Sequence, residues 1–253
     1  MGKNKLKKFA EMETFPHVFQ LSYNELAAGS TFALRGRWHT DFFHNTNPIT
    51  LELGCGRGEY TVELAKRFPD RNFIGIDIKG ARMWTGAKLA QELALTNAAF
   101  VRTGINAIPH FFAPAEVAEL WITFPDPQMK KPGKRLVGTE FLKLYEQIMP
   151  SDGVINLKTD SNFLFTYAQA MVECNDLNLL AATDNIEKTH PDDPLLAIRT
   201  YYETQWRARG IDIKYMRFGI AHQNAWKEPN IDIPYDEYRS YGRQKRSSLT
   251  AGK

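Results

Sequence analysis

From residue 49 onward, apolar and polar positions follow two alternating rhythms. Short runs in which most positions are apolar, ITLELGC (49–55), NFIGIDI (72–78), AAFVRTG (98–104), VAELWITF (117–124) and VINLKT (154–159), read as strands. Between them GEYTVELAKRF (58–68), GARMWTGAKLAQELAL (80–95), GTEFLKLYEQIM (138–149) and SNFLFTYAQAMVECN (161–175) carry helical spacing. Two later runs, LNLLAAT (177–183) and KYMRFGIAH (214–222), bring the strands to seven. Strands alternating with helices predict an α/β fold, a doubly wound and mostly parallel seven-stranded sheet. Near-continuous apolar strands require helices on both faces of that sheet. Residues 15 to 48, rich in aromatics and arginine, predict a helical cover before the first strand. The expected organisation is a flexible basic arm over 1–14, one domain over 15–222, and a tail over 223–253 of mixed Pro, Asp, Tyr and cations.

Composition removes several classes of function. The chain has 253 residues, 43% hydrophobic and 24% charged, as in a soluble globular protein. No apolar run approaches the roughly 18 residues of a membrane-spanning helix. The first residues carry cations without an apolar stretch behind them, so no signal peptide and a cytoplasmic location are expected. Two cysteines, Cys55 and Cys174, cannot form a disulfide framework, and the six histidines make no paired-ligand motif, so no metal is expected. The net charge is only +3, but the cations cluster: Lys3, Lys5, Lys7 and Lys8 at the start, then Lys130, Lys131, Lys134 and Arg135. Either cluster reads as a solvated segment or as a contact for an anionic polymer.

Candidate chemistry gathers where the predicted strands end. The first strand runs into Glu52-Leu53-Gly54-Cys55-Gly56-Arg57-Gly58, whose glycines let backbone approach a ligand closely. The spacing is GxGxG rather than the GxGxxG of dinucleotide binders, and Glu52 would repel a pyrophosphate but attract an amino group. Asp77, 19 residues after Gly58, can accept the hydroxyls of a ribose. Asn106 follows the third strand and could read an adenine edge, or simply form a turn. After the fourth strand comes FPDPQMKKPGKRL, an aspartate held between Pro125 and Pro127 and followed by the basic run. Asp160 closes the fifth strand as a site residue or a helix N-cap. Thr200-x-x-Glu203 is a capping box in its own right.

These motifs resemble a known family. LELGCGRGEY is similar to the first motif of class I methyltransferases that use S-adenosylmethionine, GIDIKGARM to the second, and LYEQIMPSDGVINLKTD to the helix-turn-strand after the catalytic loop. The likeness covers about residues 48 to 222 and implies a Rossmann-like fold. FPDPQMKKPGKRL, NLKTDS and RTYYET resemble more closely the tRNA (guanine-N7)-methyltransferase family, with Gln128 where that family has tryptophan and Pro132 where a basic residue is common. The resemblance implies S-adenosyl-L-methionine as cofactor, tRNA as partner, no membrane, and a monomer or homodimer that methylates guanine 46 of the variable loop. It puts Glu52, Gly54, Gly56, Gly58, Asp77, Asn106 and Asp126 at the cofactor, with Asp126 catalytic. Lys130, Asp160, Thr200, Tyr202 and Glu203 fall to the substrate, and Lys131, Lys134 and Arg135 to RNA phosphates. Two other readings stand beside it: methylation of an exocyclic amine, against which the Pro-Pro-aromatic order is missing, and a weakly catalytic RNA-binding protein, for which Gln128 gives room.

Overall fold

Five strands, each buried along nearly its whole length, form the centre of the computed structural model, which describes residues 2–21, 31–223 and 225–238. They are β2 (Ile49–Leu53), β3 (Asn72–Ile76), β4 (Ala98–Arg102), β5 (Glu119–Thr123) and β6 (Val154–Thr159). Their mutual pairing is parallel, so side chains alternate between two apolar layers. Ile49, Leu51 and Leu53 point into one layer with helices α4 (Thr139–Tyr145) and α5 (Asn162–Cys174). Phe73, Phe100 and Trp121 point into the other, with α2 (Glu59–Arg67) and α3 (Gly80–Glu92). The doubly wound pattern of apolar runs is therefore realised as read.

Among the described residues the sheet has eight strands rather than seven. Its order is β1-β4-β3-β2-β5-β6-β8-β7, where β1 is Val18–Gln20, β7 is Leu179–Thr183 and β8 is Lys214–Gly219. The extra strand comes from the segment expected to be a helical cover, and pairs parallel to β4 through Val18↔Phe100. Among the described residues of that segment helix is confined to the aromatic part, a π-turn over Trp38–Phe43 that buries Trp38 beside Phe112. β8 runs antiparallel between β6 and β7. The basic start, read as an arm, is helix α1 (Gly2–Met12), seated on α3 through Glu11, which accepts from Trp84 Nε1 at 2.9 Å. Short helices α6 (Ile186–Thr189) and α7 (Tyr201–Arg207) lie between β7 and β8. Tail residues 225–238 return to the domain, where the Asp236 carboxylate accepts from Ser161 Oγ and Phe163 N at the start of α5. Residues 239–253 lie outside the described residues.

Candidate active site

β2 and β5 are neighbours in the sheet, but the chain travels out through β3 and β4 before returning to β5. The crevice beyond their carboxyl ends is thus the switch point of the fold. A cleft of about 720 Å³ opens there, within the range of small-molecule sites. One side is the glycine loop, where Gly54 and Gly56 take φ of 77° and 56°, values costly for any residue with a Cβ. The N–H groups of Gly54 and Cys55 both donate to Ile76 O, at 2.8 and 2.9 Å, which folds the loop back onto β3. Asp77 completes the turn, one carboxylate oxygen accepting from Gly56 N at 2.8 Å and the other from Lys79 N at 2.7 Å. Gly58, also left-handed at φ 70°, serves packing as well. A Cβ there would stand 2.7 Å from the Phe100 ring and 3.1 Å from Gly86 Cα, where α2 meets α3.

Glu52 ends inside the cleft wall and is buried. One carboxylate oxygen accepts from Thr61 N and Thr61 Oγ1 at 2.9 and 2.6 Å, and the other from Thr123 Oγ1 at 2.8 Å. Burial raises its pKa to about 7 against the opposing pull of these donors, and the nearby Asp77 charge adds to the rise.

The Pro-Asp-Pro loop is held at both ends. Phe124 and Gln128 adopt φ of 49° and 47°, left-handed conformations unusual for side chains of their size. Gln128 N donates to Asp126 Oδ1 at 3.1 Å, so the aspartate caps its own turn. Asp126, Gln128 and Lys134 line the cleft. Lys130, Lys131 and Lys134 are exposed, whereas Arg135 is buried. Its guanidinium lies 4.3 Å from the Tyr167 ring centre and 4.9 Å from that of Phe163, and it donates to Met129 O at 2.9 Å. Arg135 is therefore the anchor of the loop.

The remaining wall comes from α7 and the residue that caps it. Thr200, Tyr202 and Trp206 line the cleft, and Thr200 Oγ1 accepts from Glu203 N at 3.2 Å as the N-cap of α7. Glu203 turns the other way, fully buried in an ion pair of 2.8 Å with Lys158 of β6. Burial lowers the Lys158 pKa to about 8 and raises that of Glu203, while each partner opposes the other's shift. Asp160 is also buried and outside the cleft lining. Its carboxylate accepts from Tyr238 Oη at 2.7 Å, and Ser161 rather than Asp160 caps α5.

The sequence carries the same assignment. A model of a family of putative methyltransferases matches residues 46–216. A tRNA (guanine-N(7)-)-methyltransferase of Porphyromonas gingivalis is 59% identical over 239 residues, 93% of this chain and 98% of its own. One of Bacteroides fragilis is 52% identical over 253 residues, 100% of both chains.

The chain belongs to the tRNA (guanine-N7)-methyltransferase family.

Solved structures agree on the fold alone: the 16S rRNA methyltransferase KamB superposes with a TM-score of 0.56 at 14% identity, over 80% of this chain and 95% of that one. An antibiotic-related methyltransferase does so with a TM-score of 0.55 at 16% identity, over 74% and 94%. As a class I methyltransferase fold, the sheet brings Glu52, Gly54, Gly56, Asp77, Asp126, Lys134, Thr200 and Tyr202 of this family member onto one cleft. It leaves Gly58, Asn106, Lys130, Lys131, Arg135, Asp160 and Glu203 off the lining. Asn106 stands exposed on a 3-10 turn, Ile105–His110, and Ile105 takes its place at the wall. Sequence reading did not find Thr61, Thr123 or Lys158. Of these Lys158 had a visible signal, a cation inside a strand that must be covered on both faces.

Proposed function

We propose that this protein transfers the methyl group of S-adenosyl-L-methionine to N7 of guanine 46 in the variable loop of tRNA. The observation that carries the reading is Asp126, fixed between two prolines and two left-handed residues, on the same cleft as Glu52, the glycine loop and Asp77. The donor set fits the cofactor. Gly54 and Gly56 leave room for close approach, Asp77 suits a ribose, and the carboxylates of Glu52 and Asp77 suit a cation rather than a pyrophosphate. When bound there, the cofactor supplies an electrophilic methyl group.

Guanine N7 offers a lone pair and carries no proton, so no general base is needed and positioning dominates. Orientation of this kind can supply roughly 7–11 kcal/mol of barrier reduction. The Asp126 carboxylate accepts hydrogen bonds from guanine N1–H and the 2-amino group, and its charge favours the cationic ring that forms. Lys130, Lys131 and Lys134 hold backbone phosphates and set the register of the RNA. A guanine buried in folded tRNA must leave its stack to reach Asp126.

Incubation with unmodified tRNA and methyl-labelled S-adenosylmethionine, followed by nucleoside analysis and strand scission at 7-methylguanosine, tests the reading. Label in 7-methylguanosine at position 46 is the expected result. Label in an exocyclic methylguanosine, or none, overturns it.

A further inference from the structure

Residues 194–203 run as a strap from the α6 region to the start of α7 and carry Thr200 and Tyr202 to the cleft. The strap pairs with no strand among the described residues; donors from elsewhere fix its carbonyls. Arg67 Nη1 donates to Pro194 O at 2.7 Å, and Tyr60 Oη to Leu195 O at 2.6 Å. Lys158 Nζ donates to both Leu196 O and Ile198 O at 2.8 Å, and pairs with Glu203 at 2.8 Å. Two of the three ammonium donors thus go to strap carbonyls, and the charge itself faces Glu203 Oε2 as an ion pair.

We propose that Lys158 is a positioning residue for the substrate. Its ammonium, tied to Glu203 and to two strap carbonyls, sets where Thr200 and Tyr202 stand on the cleft wall. The assignment rests on the function proposed above and changes the part played by Glu203. Both Glu203 oxygens are engaged, one by Lys158 and one by Arg207 Nε at 2.8 Å, and neither partner of the pair is exposed at all. Glu203 therefore reaches the substrate only through the strap. Stability does not account for such a pair, because well-packed apolar residues replace buried ion pairs with little or no loss. An apolar pair cannot hold the carbonyls of Leu196 and Ile198 in place. The lowered Lys158 pKa, about 8, fits an ammonium kept charged only by these partners.

The test is the double variant Lys158→Met/Glu203→Met. Its thermal midpoint should stay within about 5 °C of wild type and its affinity for S-adenosylmethionine within about twofold, since the glycine loop is untouched. Trypsin cleavage after Arg199, which is exposed between buried Ile198 and Thr200, should accelerate by about tenfold or more as the strap opens locally. kcat on tRNA should fall by roughly 10²-fold, as for misplaced groups, and more than KM rises. A folded double variant with wild-type Arg199 cleavage and wild-type kcat overturns the proposal. If the double variant does not fold, Glu203→Gln, which keeps the side-chain shape, decides by the same two readouts. The cleavage rate needs no activity, so it judges the strap even where the proposed methylation fails.

Discussion

Glu52 is buried with both oxygens hydrogen-bonded, and its titration still moves to about 7. Its folded pKa lies above the ordinary 4.5, so its contribution to stability is complete below that value and is lost as pH rises through 7. The loss amounts to about 3 kcal/mol at most. Wild type should lose up to that much between pH 5 and 8, relative to Glu52→Gln, in urea unfolding. A cationic ligand reverses the preference and draws the carboxylate into its charged form. Binding of the proposed cofactor should therefore release a proton near pH 6.5 and tighten from pH 6 to 8. Calorimetry in buffers of different ionisation enthalpy measures that proton; an equal release from Glu52→Gln would remove Glu52 from the site. In the proposed function Asp126 orients the other substrate. Asp126→Asn should lower kcat by roughly 10²–10³-fold, as when a transition-state partner is removed, while tRNA binds as before. Single-turnover methylation beside a binding isotherm separates the two. The place of Glu52, Gly54 and Asp77 on one cleft was legible because strand ends and glycines mark the switch point without knowledge of distant neighbours. Asn106 was misplaced because a 3-10 turn advances the chain differently from a strand end.

At the scale of elements, the basic run divides between two environments. Lys131 and Lys134 face solvent, while Arg135 lies on the rings of Phe163 and Tyr167 from α5. Replacing Lys131 and Lys134 by alanine should lower the slope of log affinity for tRNA against log salt by roughly 0.7 to 0.9 for each. Arg135→Leu should leave that slope alone and instead destabilise the fold by about 1–3 kcal/mol, through lost cation–π and hydrogen-bond contacts. A salt series and a denaturation curve on the same proteins tell the two apart. Counting charges in sequence could not make this division, since the rings that turn Arg135 inward lie on a helix well downstream. The contact of α2 with α3 depends equally on distant partners. A Cβ on Gly86 would stand 2.6 Å from Arg57 O, which belongs to the glycine loop. Gly86→Ala should cost about 1–3 kcal/mol by overpacking and weaken cofactor affinity by displacing that loop, both measurable by calorimetry.

For the molecule as a whole, the doubly wound order was legible from the apolar runs, and the eighth strand was not. Val18–Gln20 is three residues long and half-buried, too short for alternation to register. The antiparallel end of the sheet has its own consequence. β6 acquires its outer neighbour only from β8, which pairs Thr159 with Lys214. In order of synthesis, every residue of the glycine loop, Asp77 and the Pro-Asp-Pro loop leaves the ribosome before the segment that carries Thr200 and Tyr202. That segment is then fastened by donors already in place on α2 and β6. The wall that carries Thr200 and Tyr202 thus depends on a longer chain closure than the glycine-loop wall, and such closure is intrinsically slow. Pulse-labelled hydrogen exchange during refolding should protect the amides of β2, β3 and β5 ahead of those in β8. On the proposed function, that order of protection predicts a refolding stage that takes up the methyl donor before it can seat the nucleotide that accepts it.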